Sequence, residues 1–284
     1  MKLSVVHAGN FKLDGGAMFG VVPKGLWQKA NPPDEHNLCT WAMRCLLVEE
    51  GDRRVLIDTG MGKKQDAKFF SYYHPDSPDA LEQSLKNLGH GFEHITDVFL
   101  THLHFDHCGG ALIRSDDGEI LPRFPNATYW SHRTHWNWAT QPNEREKASF
   151  LPENILPLQQ AGVLRFLDEA DESALPPGFS VQIVNGHTEA MMLPKIRIGE
   201  RTLLFCADLI PSAAHIPLPW VMAYDVRPLV TLKEKRETLE QAAAENWVLF
   251  FEHDRVIECC TVEKTERGVR LKETFALSEV GGGG

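Results

Sequence analysis

Asp97-Val98-Phe99-Leu100-Thr101-His102-Leu103-His104-Phe105-Asp106-His107-Cys108-Gly109-Gly110 begins as an apolar run and ends as a dense group of metal-competent side chains. Residues 97–100 read as a buried strand. Three imidazoles and one carboxylate stand between His102 and His107. These are the side chains that hold Zn²⁺, Mn²⁺ and Fe²⁺ in water-activating sites. Gly109-Gly110 lets the chain turn sharply. The ligands therefore lie in a loop at the C-terminal end of a strand, where α/β folds place their chemistry. A polar loop rich in histidine by accident explains neither this density nor the strand just upstream.

One such group cannot close a two-metal site, so other segments must add ligands. Three further apolar runs each end in a metal-competent residue. Phe179–Val184 leads into Asn185-Gly186-His187-Thr188, Thr202–Ala207 leads into Asp208, and Trp247–Phe251 leads into Glu252-His253-Asp254. The repetition is stronger evidence than any single histidine.

The order HxHxDH, then GHT, then an Asp after an apolar strand, then a late His resembles the metallo-β-lactamase superfamily. Leu56-Ile57-Asp58-Thr59-Gly60 matches the early strand-Asp-x-Gly element of that family, so the resemblance covers nearly the whole chain. It implies an α/β fold (α+β in some schemes), an αββα sandwich of two mixed sheets flanked by helices. It also implies a ligand set. His102, His104 and His187 would hold one divalent ion, Asp106, His107 and His253 a second, and Asp208 would bridge them. Asp58 would orient a ligand imidazole from behind. The expected cofactors are two divalent ions per chain, zinc first, with manganese, iron or cobalt as alternatives.

Such a pair shares and acidifies a water and polarises a carbonyl or phosphoryl oxygen. The implied activity is hydrolysis by a bridging hydroxide, with Asp106 passing a proton to the leaving oxygen. Four loops resemble those of the subgroup that holds quorum-quenching lactonases and methyl parathion hydrolase. They are 14–23, 68–73, 207–215 and 220–225. Met18, Phe19, Phe69 and Phe70 are the expected pocket walls, suited to an acyl chain or aryl leaving group. Known lactonases carry Tyr three residues after the bridging Asp, where Pro211 stands here; Glu189-Ala190 also replaces a common Pro-Gly after Gly186-His187-Thr188. His215 and Tyr224 are the expected replacements as donors to the substrate carbonyl. The expected function is hydrolysis of a small lactone or ester, as in acyl-homoserine-lactone lactonases. A phosphodiesterase or phosphotriesterase is the alternative, and a mononuclear-iron oxygenase or plain metal-binding protein the third reading. His132 and His135, amid Trp130, Trp136 and Trp138, read as packing.

The chain has 284 residues, 43% hydrophobic and 24% charged, with net charge −10. That composition is ordinary for a globular protein, and the acidic balance disfavours nucleic acid. The N-terminus lacks a signal-peptide pattern, and no apolar run approaches a membrane span of roughly 20 residues. Six cysteines form no CxxC pair, and they read as reduced, buried thiols of a cytoplasmic protein. Cys108 and Cys206, close to expected ligands, read as core packing before redox sensing. The expected partner is a small-molecule substrate, without nucleic acid or membrane and with a homodimer left open.

Residues 1–280 read as one domain and 281–284 as a glycine tail. Expected strands are 2–8, 41–48, 54–57, 97–101, 163–167, 179–184, 195–198, 202–206, 247–251, 255–261 and 268–274. Expected helices are 79–88, a mostly helical stretch over 132–161 broken at Pro142, Pro152 and Pro157, and 231–246 with Thr231 as cap and Glu234 as capping-box partner.

Overall fold

A computed structural model describes residues 1–170 and 174–280; the glycine tail expected at 281–284 lies outside the described residues. The chain is mixed α/β, with two six-stranded mixed sheets and accompanying helices, the fold class expected. The strands are β1 (Lys2–Asp14), β2 (Leu38–Glu50), β3 (Arg53–Ile57), β4 (Asp97–Phe99), β5 (Leu112–Arg114), β6 (Ile120–Pro122), β7 (Thr128–Ser131), β8 (Leu164–Phe166), β9 (Phe179–Val184), β10 (Met191–Ile198), β11 (Arg201–Phe205), β12 (Val248–Phe250), β13 (Cys259–Thr265) and β14 (Gly268–Phe275). The helices are α1 (Gly15–Phe19), α2 (Lys24–Trp27), α3 (Ala67–Tyr73), α4 (Ala80–Asn87), α5 (Phe105–Cys108), α6 (Arg133–Thr140), α7 (Pro152–Gln160) and α8 (Pro228–Glu245). The first sheet runs β1-β2-β3-β4-β7-β8 and the second β14-β13-β12-β11-β10-β9.

Packing divides the chain into two compact units. The first comprises Met1–Asn10, Met43–Pro177 and Ala190–Met192; the second comprises Phe11–Ala42, Gly178–Glu189 and Leu193–Gly284. In the first unit β3, β4, β7 and β8 are parallel neighbours. Parallel strands are covered on both faces and read as continuous apolar runs, and Val98, Phe99 and Leu100 are indeed fully buried. Leu56, Val98, Tyr129, Leu158 and Phe124 belong to this unit's core. In the second unit β11 and β12 are parallel, while β12, β13 and β14 are antiparallel. Phe205 and Phe250 pair across β11 and β12 with ring centroids 5.4 Å apart.

Three local expectations are corrected. α8 starts at Pro228, with proline in the first turn where its fixed φ suits a helix. Thr231 is thus a buried helix residue rather than a cap, and Glu234 accepts instead from the backbone N–H groups of Asn185 and Gly186 at 2.7 and 2.9 Å. Pro152 begins α7 rather than breaking it, and Pro157 lies inside the same helix. The loop expected at 14–23 opens as helix α1, because the Asp14 carboxylate caps it by accepting from Ala17 N–H at 2.8 Å.

Candidate metal centre

In the first unit β3 and β4 set one group of metal-competent residues. Their parallel register aligns Ile57 with Phe99, so Asp58 and Thr101 leave the sheet at the same edge. Asp58 takes a left-handed backbone conformation there, with φ 57°. Its carboxylate accepts from Thr101 N–H at 2.8 Å and from Thr101 Oγ1–H at 2.6 Å. It also accepts from His107 Nδ1–H at 3.1 Å. The Thr101 oxygen, its own proton spent on Asp58, accepts from His102 Nδ1–H at 3.1 Å. A carboxylate can only accept, so His107 and His102 each carry a ring proton on the outer nitrogen.

His104 joins this group. Its Nδ1 lies 3.0 Å from His102 Nε2, close to the roughly 3.3 Å that separates two nitrogens on one tetrahedral zinc ion. Its Nε2 faces the buried Glu146 carboxylate at 3.7 Å, and its ring lies against Phe150 with centroids 4.7 Å apart. Asp106 Oδ2 is 3.7 Å from His107 Nε2. Between His102 and His104, Leu103 N–H donates to His135 Nε2 at 2.8 Å. His135 therefore braces the loop in addition to packing. His132 caps α6 and accepts from Thr134 N–H.

The loop is held flat against the chain that follows β3. Thr59 N–H and Oγ1–H both donate to His107 O, at 2.8 and 2.9 Å. Gly110 N–H donates to Gly60 O at 2.7 Å. A Cβ on Gly110 would stand 2.0 Å from Thr59 O, so the approach requires glycine. Buried Lys64 donates to Gly109 O, and burial pulls its ammonium down to about 8. Burial pushes the Cys108 thiol up to about 12, which keeps it protonated and inert. Cys206 is raised well above the ordinary thiol range by the same cause.

In the second unit β11 and β12 set another group of metal-competent residues. Phe205 and Phe250 are register partners, and Cys206 N–H donates to Phe250 O at 3.0 Å. Asp208 and His253, a few residues beyond each, are thereby brought together, with His253 Nε2 3.0 Å from Asp208 Oδ1. His253 donates its Nδ1–H to Ala42 O at 2.8 Å, and its backbone N–H to Pro211 O at 3.1 Å. His187 joins from the end of β9, its Nε2 3.1 Å from Asp208 Oδ2. Gly186, just before it, has no room for a Cβ, which would meet Thr231 Oγ1 at 2.3 Å. His187 Nδ1–H donates to the buried Asp225 carboxylate at 3.0 Å. Burial lowers the affinity of His187 for a proton, but Asp208 and Asp225 outweigh it and raise the pKa to about 10. The His187–Asp208 pair calls for a positive charge between imidazole and carboxylate, which a proton or a metal ion supplies.

The donor sets fit divalent ions by their chemistry. His102 with His104, Asp106 with His107, and His187 with Asp208 each offer ligand atoms within 4.8 Å of one another. They are buried imidazoles and carboxylates, and His102, His107 and His187 each donate from the outer nitrogen to a protein acceptor, the arrangement that orients histidine ligands.

The expected pocket residues divide. Phe69 lies edge-on to Phe105, with centroids 5.2 Å apart, and Tyr73 lies tilted against the same ring at 4.5 Å. Phe69 and Phe70 are half-buried beside the loop that carries Asp106. Met18 and Phe19 depart from expectation: both are sealed in the second unit's core and offer no wall to a substrate. His215 departs too. It stacks on Phe19 with centroids 4.7 Å apart. Its Nε2–H donates to Met18 O at 2.9 Å, and its Nδ1 accepts from Ser212 Oγ–H at 2.7 Å. Both ring nitrogens are engaged, so neither faces a substrate oxygen. Tyr224, on the 220–225 loop, is 38% exposed.

Sequence reasoning missed Asp225, Glu146 and Tyr73 as neighbours of the ligands. Asp225 and Glu146 follow no spacing rule, since each meets its histidine through tertiary packing. Tyr73 had a signal in the aromatic run 68–73.

The family model described as the metallo-beta-lactamase superfamily matches residues 44–253. A probable metal-dependent hydrolase from Staphylococcus aureus is 26% identical over 97% of this chain and 98% of its own, with a TM-score of 0.84. The dizinc quorum-quenching lactonase AidC is 23% identical over 96% of this chain and 95% of its own, with a TM-score of 0.79. The hydrolase AbOPH of the beta-lactamase superfamily is 18% identical over 96% and 94%, with a TM-score of 0.77. A search of the curated proteins finds no match.

Proposed function

The chain belongs to the metallo-beta-lactamase superfamily, and on that premise we propose that this metal-dependent hydrolase uses two divalent ions to open a small lactone or ester. One observation carries the proposal. In four buried histidines the outer ring proton is spent on a protein acceptor: His102 on Thr101, His107 on Asp58, His187 on Asp225 and His253 on Ala42 O. Each ring is thereby fixed with its other nitrogen turned to a neighbouring candidate ligand, where a cation can take the place of a proton. In this reading His102, His104 and His187 hold one ion, Asp106, His107 and His253 the other, and Asp208 serves both. Divalent ions supply Lewis acidity and acidify water.

The chain's own residues do the rest. Asp58 and Asp225 hold the ligand rings in one tautomer. Asp106 is the carboxylate assigned to hand a proton to the leaving oxygen. Tyr224 is the donor assigned to the carbonyl oxygen, a role typically worth about 10²–10³ in kcat. Phe69 and Phe70 form an apolar wall suited to an acyl chain. The lactone preference is supported by the fold shared with AidC, a lactonase.

Elemental analysis of protein purified without chelator tests the metal reading, with about two ions per chain expected. A reproducible value of one or less after reconstitution overturns it. A panel of acyl lactones, p-nitrophenyl esters and phosphotriesters tests the substrate. Faster turnover of phosphotriesters than of lactones would move the assignment to phosphoester hydrolysis.

A further inference from the structure

The turn joining β13 to β14 is pinned by Thr265, whose Oγ1 accepts from Arg267 N–H at 3.1 Å and donates to Gly268 O at 2.7 Å. The turn holds Arg267 out at one rim of a groove on the second unit; α8 and loop 216–219 supply its other walls. The cavity has a volume of about 330 Å³, within the range of small-molecule sites, roughly 300–1,000 Å³. Leu218, Leu239 and Val269 line its apolar part. Its charged groups are Arg236, Arg267, Arg270 and Glu240, so three cations meet one carboxylate. Arg236 and Arg267 are exposed and Arg270 half-buried. Among the described residues no carboxylate forms an ion pair with any of the three arginines.

The chain carries 39 acidic against 29 basic side chains, so a net-positive groove runs against its overall charge. Three guanidiniums against one carboxylate give the lining a net positive charge, which an anion balances. Guanidinium forks match a carboxylate through paired hydrogen bonds, while the apolar wall between them matches a hydrocarbon tail.

We propose that this groove is a binding site for an amphipathic organic carboxylate, an acyl chain ending in a charged head. The site is separate from the metal ligands and does not rest on their function. It does share a loop with them. Fully buried Lys235, next to Arg236 on α8, donates to Pro217 O, Leu218 O and Trp220 O at 3.0, 3.3 and 2.7 Å. One helix turn therefore grips the loop from inside through Lys235 and borders the groove through Arg236. A ligand against Leu218 buttresses the segment that continues from Asp208.

Calorimetric titration of the purified full chain with octanoate tests the proposal. Octanol, acetate and inorganic phosphate are the comparison ligands. Octanoate is expected to saturate a single site and to bind at least about tenfold more tightly than any of the three. The Arg236→Ala/Arg267→Ala double variant and the charge reversal Arg267→Glu, all at exposed positions, are expected to lose about tenfold or more. Asp208→Ala is expected to bind octanoate as wild type does, which separates the groove from the metal centre. Equal binding of octanol or of phosphate overturns the proposal. So does octanoate binding that survives in both arginine variants or disappears in Asp208→Ala.

Discussion

Asp225 accepts from His187 Nδ1–H at 3.0 Å and so decides which ring nitrogen carries the proton. Replacement by Asn removes the charge and allows the amide to offer a donor instead, which turns the wrong ring nitrogen inward. Such partners behind a ligand typically contribute 10–100-fold in metal affinity. Asp225→Asn should therefore lose metal to a competing chelator about 10–100-fold more readily while keeping its circular dichroism. Unchanged metal retention would remove Asp225 from that role. His215 makes a different prediction. Burial lowers its pKa from 6.5 to about 3, so the unfolded chain binds the proton more readily than the folded one between those values. Stability from a neutral His215 is then present above pH 6.5 and is lost as pH falls toward 3. His215→Phe keeps a ring against Phe19 but cannot titrate. It should be less stable than wild type at pH 7, because Met18 O loses its donor. The gap should narrow at pH 4.5 in denaturant titrations. A constant gap would contradict the burial account.

At the scale of elements, the ligand loop depends on one close backbone approach. Gly110 donates to Gly60 O and leaves no space for a methyl beside Thr59 O. Gly110→Ala must push the loop away from β3, and overpacking of this kind costs about 1–3 kcal/mol. Because Thr59 also holds His107 O, the displacement reaches a proposed ligand. Gly110→Ala should thus lower the unfolding midpoint and metal content together. Gly25→Ala is the control, since a Cβ there meets nothing within 4 Å. If Gly110→Ala were as benign as Gly25→Ala, the loop would be less tightly held than its geometry states. The same scale explains why the two parallel pairs matter. β3 with β4 and β11 with β12 each deliver two chain ends to one sheet edge, which is how residues far apart in sequence become neighbours.

At the scale of the whole molecule, the two compact units share strands. The division between them falls at Asn10/Phe11 inside β1 and at Ala42/Met43 inside β2. Unfolding either unit frays a strand that also serves the other. The proposal that residues 1–280 form one domain follows from that continuity. Thermal unfolding should then give coincident transitions by far-ultraviolet circular dichroism and by tryptophan fluorescence. Two separated transitions would mean that the units unfold independently. No helix among the described residues is long and apolar enough to cross a membrane.

The sequence by itself determined the family, the fold class and the list of metal-competent residues. These depend on local patterns: apolar runs that must be buried, and ligands placed directly after them. The hairpin of β2 and β3, helix α4 and strand β9 were legible for the same reason, since period and turn residues are local. Cap positions were less so. Thr231 looked like a cap, but Pro228 started α8 a turn earlier and Glu234 went to the Asn185 and Gly186 amides. Tertiary structure alone decided which polar groups stand behind the ligands, because Asp225, Glu146 and His135 reach their partners through packing that no spacing encodes. It also decided that Met18, Phe19 and His215 form a core. An apolar, glycine-rich loop reads alike whether it faces a substrate or the interior, and only the three-dimensional neighbours of its side chains separate the two.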